Sequence, residues 1–393
     1  MNRQYTIAIV GGSLSTYGGG APRSIAQQAT TLYETGHHVE LFVGYSKKYP
    51  LTQDQFSCKK CKVNASKLWG PSVLGLFPGA LYRLWKTAKS FDFIHLNGAW
   101  NLTTFLGACI SRHRNVPYVI TMRGHFGEYH FHRKPLLKKI LFRTLETSNI
   151  KHACAMHATA QWEVQTSRSP LSNAQQIVTI PNPVDLTDFQ YPLNRTDARK
   201  SLNLKEADFH MVHLGRLAKQ KNIPFLLEAF TKAHLGNSAF LTLVGPPEHT
   251  LKKELLKQIE RLNIGSQVNF IDFAKGKERC NWLAAADLFV LPSFDENFCI
   301  VAVESVASGT HCLLSPNIGA IEFLPKRLIE VVQLEQKEWI ACLRDHYKNR
   351  REQTLPDPEE LHSFSSEHIG NDWMKFYQQI KSKTKNNKLI REK

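Results

Sequence analysis

Glu296 and Glu304 stand with seven residues between them in "ENFCIVAVESVASG" (296–309), directly after the apolar run "ADLFVLPS". Pro292 must end the strand that this run predicts, so Ser293–Asn297 reads as loop. The stretch "CIVAVESVAS" has the length and pattern of a helix closed by Gly309. Glu296 then lies in front of a helix N-terminus, beside the backbone N–H groups of Phe298 and Cys299. Eight residues of helical rise come to about 12 Å, too far for the two acids to share one proton or one metal ion. They suit different parts of one elongated ligand, each accepting hydrogen bonds from hydroxyls. An acid inside so apolar a helix also needs a partner. The plainer alternative makes Glu296 a helix cap and Glu304 a tolerated polar position.

Two cations occupy a comparable place upstream. In "GRLAKQKN" (215–222), Arg216 follows a strand-like segment and Lys221 comes five residues later. Basic residues at a helix start oppose its dipole unless an anion is bound there. Arginine offers a two-pronged fork and lysine a point charge, a combination suited to a diphosphate. Two solvated surface cations are the alternative. The glycine-rich loop Gly11–Gly20, with Gly19 and Gly20 at its end, would let backbone N–H groups approach an anion. It lacks both G-x-G-x-x-G and a P-loop lysine, so a plain turn competes. No D-x-D, H-E-x-x-H or G-x-S-x-G occurs. The run "HFGEYHFH", with His125, Glu128, His130 and His132, fits no zinc spacing and reads as loop. No metal site is expected.

The elements that must position these residues come in two similar series. "YTIAIVGG", a helix-patterned "IAQQATTLYETG" and "HVELFVG" make a βαβ unit, which favours a parallel sheet. "FDFIHLNG", "PYVITMRG", "ACAMHAT" and "QIVTIPNP" supply further strands. A polar, turn-rich linker follows at 183–205, and the alternation restarts with "FHMVHLGR". Strands at "AFLTLVGPP", "VNFIDF", "ADLFVLPS" and "HCLLS" complete a second open α/β sheet. Near the end, Ile369, Trp373, Phe376 and Ile380 fall at helical spacing, ahead of a fraying lysine-rich tail.

At 393 residues, two domains are the default, and 42% hydrophobic with 21% charged residues describes a globular chain. A formal charge of +16 points to phosphate-bearing partners. Nucleic-acid binding rests on charge alone, without a recognised motif. No secretory leader pattern is visible, and the apolar stretch 68–85 holds prolines, glycines and Arg83, which predicts a cleft-lining or interfacial segment. Cys109, Cys154 and Cys312 sit in apolar runs and read as reduced core residues; Cys58 and Cys61 form a lone C-x-x-C that reads as solvated loop.

The segments "GRLAKQKNIPFLLEAF", "ADLFVLPSFDENFCIVAVESVASG", "VTIPNPVDLTDF" and "DFIHLNGAW" together resemble the family-4 retaining glycosyltransferases, glycosyltransferase group 1. The resemblance implies an α/β protein of the GT-B type, two Rossmann-like domains with parallel sheets facing a cleft. It would place an acceptor domain at 1–185, joined by a C-terminal helix at 364–382. A donor domain would span 200–360, with a basic tail at 383–393. Arg216 and Lys221 would hold the donor diphosphate in place of a metal ion. Glu296 would hold hydroxyls of the donor sugar, with the backbone of Phe298 and Cys299 beside it, and Glu304 would hold the ribose. Gly19 and Gly20 would approach phosphate or acceptor. Arg123 stands where the family often has a histidine, so Arg123, His125 and His95 are the acceptor-side candidates.

The implied activity is transfer of a sugar from a UDP- or GDP-linked donor, with no other cofactor. The acceptor would be a glycan or a polyprenyl-diphosphate-linked glycan, in surface polysaccharide or lipopolysaccharide synthesis. A sugar-nucleotide epimerase or phosphorylase of the same fold is an alternative, as is a non-catalytic, membrane-docked subunit that binds nucleotide sugars. Basic residues at 132–145, with Lys59, Lys60 and Lys62, fit peripheral contact with anionic membrane from a cytoplasmic location; a solvated basic face is the alternative.

Overall fold

The computed structural model describes residues 3–15, 20–47, 49–51, 61–71, 74–127, 146–167, 171–189, 194–248 and 251–391, apart from the side chains of 188 and 384–391. The chain divides into two units: Met1–Val184 with Ser363–Lys393, and Asp185–His362.

Unit 1 runs β1 (Thr6–Ser13), α1 (Gly20–Glu34), β2 (His38–Tyr45), β3 (Lys62–Lys67), α2 (Pro78–Thr87), β4 (Phe93–Asn97) and α3 (Leu102–Arg114). It continues with β5 (Tyr118–Thr121), α4 (Thr147–His152), β6 (Ala155–Ala158), α5 (Gln161–Thr166) and β7 (Ile177–Thr179). All seven strands are parallel, in the order β3-β2-β1-β4-β5-β6-β7. Side chains of β1 alternate between two cores, as a strand's period of two requires. Ala8 and Val10 pack with Leu81 and Leu84 of α2 and Ala108 and Ile110 of α3. Ile7 and Ile9 face the other way, onto Ile25, Ala29 and Leu32 of α1.

That second core is closed by the end of the chain. After the last elements of unit 2, a long helix (Ser366–Arg391) returns and buries Ile369, Trp373, Phe376, Tyr377 and Ile380 in unit 1. Gly370 lets it cross α1 closely: a Cβ there would lie 2.0 Å from the Thr35 methyl. The helix continues past residue 382, where the sequence pattern fades, because its backbone ladder needs no apolar stripe to carry on.

Unit 2 holds α6 (Arg195–Ser201), β8 (Phe209–Leu214), α7 (Ile223–Ala233), β9 (Ala239–Val244), α8 (Leu251–Arg261), β10 (Val268–Ile271) and α9 (Gly276–Ala285). Then come β11 (Leu288–Leu291), α10 (Ile300–Ala307), β12 (His311–Leu314), β13 (Ile329–Val331) and α11 (Gln336–Lys348), which makes the returning helix α12. The six strands are parallel in the order β10-β9-β8-β11-β12-β13. Strands β8 and β11, neighbours at the centre of this sheet, belong to its two winding directions. The crevice at their carboxyl ends is where such sheets bind ligands.

One strand went unread in the sequence, and one expectation needs correction. Strand β3 is spelled "KVNASK", an edge strand with polar side chains on both faces, and nothing in its pattern predicts it. Cys61 is buried, 7% exposed, rather than in a solvated loop. It is disulfide-bonded, while among the described residues Cys109, Cys154, Cys280, Cys299, Cys312 and Cys342 are free thiols.

Candidate active site

The carboxyl end of β8 leaves the sheet through Gly215 and Arg216. A Cβ on Gly245, at the end of β9, would lie 2.1 Å from the Gly215 carbonyl oxygen, so the two strand ends meet backbone to backbone. The chain then makes one 3-10 turn, Lys219–Lys221, before α7. That turn fastens the loop after β11. Phe294 N–H donates to the Gln220 carbonyl at 2.9 Å, and the Gln220 amide donates back to the Asp295 carbonyl. From the other side, Glu296 N–H donates to Asn317 O at 2.8 Å, and Ala320 N–H to Phe298 O at 2.8 Å. Ser315 Oγ donates to Ser293 O at 2.6 Å. A loop held from both flanks can present side chains in fixed positions.

This bracing delivers Glu296 to Lys221. Lys221 Nζ lies 2.6 Å from Glu296 Oε1, and Ser293 Oγ donates to the same oxygen at 3.0 Å. Burial works against the Lys221 charge, yet Glu296 and Cys299 nearby outweigh it and hold the ammonium above the ordinary lysine range. Beneath it His213, fully buried, is pushed down to about 3 by burial and by the Lys221 charge, and stays neutral. Arg216, about half exposed, lies near enough to Lys221 to oppose its charge; its guanidinium is 3.8 Å from Glu248.

Helix α10 begins at Ile300, not at Cys299. Cys299 takes φ 78° at the N-cap, and no side chain caps the helix. The expected helical spacing between the two acids therefore does not apply, because Glu296–Cys299 are loop. Phe298 is buried, 1% exposed, and Cys299 is partly buried, its thiol pushed up to about 12 by burial. Glu304 lies inside α10 with no exposure, and Arg279 of α9 donates to its Oε1 at 2.5 Å. That partner is the residue the sequence reading lacked. Its signal was available: Arg279 is the single arginine between residues 262 and 326, beside an apolar helix that carries an unexplained acid.

In unit 1, Arg123 adopts φ 54° directly after Met122 and β5, and the following Gly124 has φ 74°. This left-handed turn folds the guanidinium back onto neutral oxygens. It donates to Asn97 Oδ1 at 2.9 and 3.1 Å, to Asn182 Oδ1 at 2.6 Å and to Gln28 Oε1 at 3.3 Å. Burial lowers Arg123 to about 10 while Glu163 opposes the fall, so it remains a cation at neutral pH. Glu163 itself is tied to Gly124 N–H and Thr159 N–H. His125 accepts from Ala99 N–H at 2.7 Å through Nδ1.

His95 does not fit an acceptor-facing role. Its ring has no exposure, and its nitrogens bond Gln28 at 3.2 Å and the Tyr377 hydroxyl at 2.9 Å. Burial holds it down to about 3. Gly20 opens α1, with nothing within 4 Å of where a Cβ would stand. Gly19, Glu128, His130, His132, Cys58, Lys59, Lys60 and the basic run 132–145 lie outside the described residues. Lys62 is described and pairs with Glu40 at 3.1 Å.

Two parallel sheets of this kind in one chain define the GT-B class of fold. The structure of Anabaena HepE in complex with UDP and glucose has the same fold, with a TM-score of 0.75 over 95% of this chain and 100% of that one, at 19% identity. Within that class, the description "Glycosyl transferases group 1" matches residues 194–328, and "Glycosyl transferase 4-like domain" matches residues 19–183. The chain belongs to the group 1 glycosyltransferases. It is 28% identical over 253 residues to UDP-Gal:alpha-D-GlcNAc-diphosphoundecaprenol alpha-1,3-galactosyltransferase of Escherichia coli, covering 63% of each chain. It is 28% identical over 272 residues to D-inositol 3-phosphate glycosyltransferase 1 of Catenulispora acidiphila, covering 64% of this chain and 61% of that one. The matches thus span about three-fifths of the length of these relatives.

Proposed function

We propose that the chain transfers a sugar, with retention of anomeric configuration, from a nucleoside diphosphate donor to a hydroxyl of a glycan or lipid-diphosphate-linked glycan. The carrying observation is the Lys221–Glu296 pair at the mouth of β8 and β11, 2.6 Å apart and flanked by Arg216. Departure of the nucleoside diphosphate builds negative charge on the leaving phosphate. Two cations and the amide dipoles at the start of α10 meet that charge without reorganising, which is the most effective form of electrostatic catalysis. Both contacts to Glu296 fall on Oε1, a geometry that lets the carboxylate accept a sugar hydroxyl while it holds the lysine charged. Glu304, paired with Arg279 at 2.5 Å, would accept from the ribose hydroxyls.

The acceptor hydroxyl attacks on the same face as the leaving group, and its proton passes to the departing phosphate oxygen. Arg123, whose polar contacts in unit 1 are neutral amide oxygens, favours an acceptor that brings its own negative charge. That preference, and the undecaprenol-linked substrate in the name of the Escherichia coli relative, support a diphosphate-linked lipid acceptor in surface glycan synthesis. UDP is the first donor nucleotide to test, because the Anabaena neighbour was solved with it; GDP is the second.

The test is release of free nucleoside diphosphate from UDP- and GDP-sugars, with and without a lipid-linked acceptor. Sugar transfer that persists in EDTA and is lost in Glu296→Ala and Lys221→Ala is the expected result. Binding of sugar nucleotides without turnover, acceptor present, would instead identify a docking subunit.

A further inference from the structure

Arginine can only donate hydrogen bonds, so Arg123 fixes the direction of every bond behind it. Its Nη2 lies 3.3 Å from Gln28 Oε1, and Gln28 must keep that oxygen toward the guanidinium and its NH2 group away. The NH2 group lies 3.2 Å from His95 Nδ1, which therefore accepts. A neutral imidazole that accepts at Nδ1 carries its proton on Nε2. That nitrogen is 2.9 Å from the hydroxyl of Tyr377 on α12, and donates to it. Burial keeps His95 neutral, as this order requires. The opposite order would set the Gln28 NH2 group against a cation. Gln28 is 2% exposed and His95 and Tyr377 have no exposure, so solvent cannot stand in for a missing link.

The front of the arginine is less occupied. Asn97, Asn182 and Gln28 take four of its N–H groups, which leaves one on Nη1 with no acceptor among the described residues. The anchors gather at the carboxyl edge of the sheet: Asn97 ends β4, Arg123 follows β5, Asn182 follows β7, and Gln28 sits on α1. We propose that Gln28, His95 and Tyr377 are positioning residues that hold Arg123 with this N–H group toward the diphosphate of the acceptor, so that helix α12 sets the acceptor site. The inference rests on the acceptor reading of Arg123 given above. A guanidinium already held in place loses little freedom when its anion arrives, and that preorganisation appears as affinity. A chain that served stability alone would leave the affinity unchanged.

Nitrogen NMR of the His95 ring, assigned by its absence in His95→Gln, reads the direction of the chain. Wild type at neutral pH should carry the proton on Nε2. Gln28→Glu replaces the NH2 group with an oxygen that accepts, so Nδ1 should gain a proton. Calorimetry reads the consequence, with farnesyl diphosphate titrated into the full chain saturated with UDP, which keeps the donor site filled. Wild type should bind this probe. Tyr377→Phe should weaken it roughly two- to tenfold, as for one hydrogen bond, with UDP affinity unchanged. Gln28→Glu, whose carboxylate neutralises Arg123, should weaken it by more. A wild-type proton on Nδ1 would overturn the proposal, as would full probe affinity in a Tyr377→Phe protein, whatever its melting temperature. So would the absence of probe binding by UDP-loaded wild type. Release of UDP from UDP-sugars by wild type is measured alongside. Release intact while the probe results fail strikes only this chain of residues; no release, with the ring and probe results as expected, upholds the chain and strikes the transfer reading.

Discussion

Glu296→Gln removes the charge that keeps a buried lysine protonated. Burial then dominates, so the Lys221 pKa should fall, and the site loses both a sugar contact and its phosphate cation at neutral pH. We expect turnover to drop by about 10²–10³-fold, on the scale of losing one donor from an oxyanion site. The Lys221 shift can be followed by NMR of the side-chain amine; an unmoved pKa would break the proposed coupling. Arg279→Met asks a different question. It strands the Glu304 carboxylate in a helix where it has no exposure, which should cost about 3–5 kcal/mol. Urea denaturation measures that loss, and adding Glu304→Gln should recover much of it. Equal instability in the single and double variants would mean the pair contributes nothing as a pair. At this scale the sequence was informative about the acids and cations, because each stood beside a strand end or inside an apolar helix. Arg279 was marked only as a lone arginine between residues 262 and 326; its pairing with Glu304, between α9 and α10, leaves no periodicity to read.

Among the elements, α12 is the most exposed to test, because the chain must leave unit 1, build unit 2 and return before this helix can close the first core. Trp373→Ala removes a ring that packs at 4.7 Å from both His95 and His157 and stacks on Tyr377. A cost of about 3–5 kcal/mol is expected, confined to unit 1. Hydrogen exchange would show it as earlier opening of β4 and β6 with β8 and β11 unaffected; uniform loosening would argue against separate cores. The central strands and α12 were legible from apolar runs and helical spacing. The edge strand β3 was not, since its place depends on pairing with β2 rather than on any pattern of its own. The loop 293–297 was legible as a loop, but its extension to Cys299 and its bracing by Gln220 and Ser315 needed the fold.

At the scale of the whole molecule, acid should act through buried neutral imidazoles. Burial holds His95, His157 and His213 near 3, against about 6.5 in the unfolded chain. Below the unfolded value the unfolded state binds more protons than the native one, so stability is intact above about 6.5 and is lost as pH falls toward 3. Each histidine should cost about 2 kcal/mol between neutrality and pH 5, and His95→Gln should flatten the slope by one proton in that window. Denaturant titrations at several pH values decide it; parallel curves for wild type and variant would be the contrary outcome.

The account as a whole stands on recognition of the second phosphate by Arg216 and Lys221. Calorimetric binding of UDP and UMP to wild type, Arg216→Met and Lys221→Met measures this most directly. Wild type should prefer UDP, and each variant should forfeit roughly 10–100-fold of that preference, as expected for one charge-assisted hydrogen bond. An undiminished preference in both variants would contradict it.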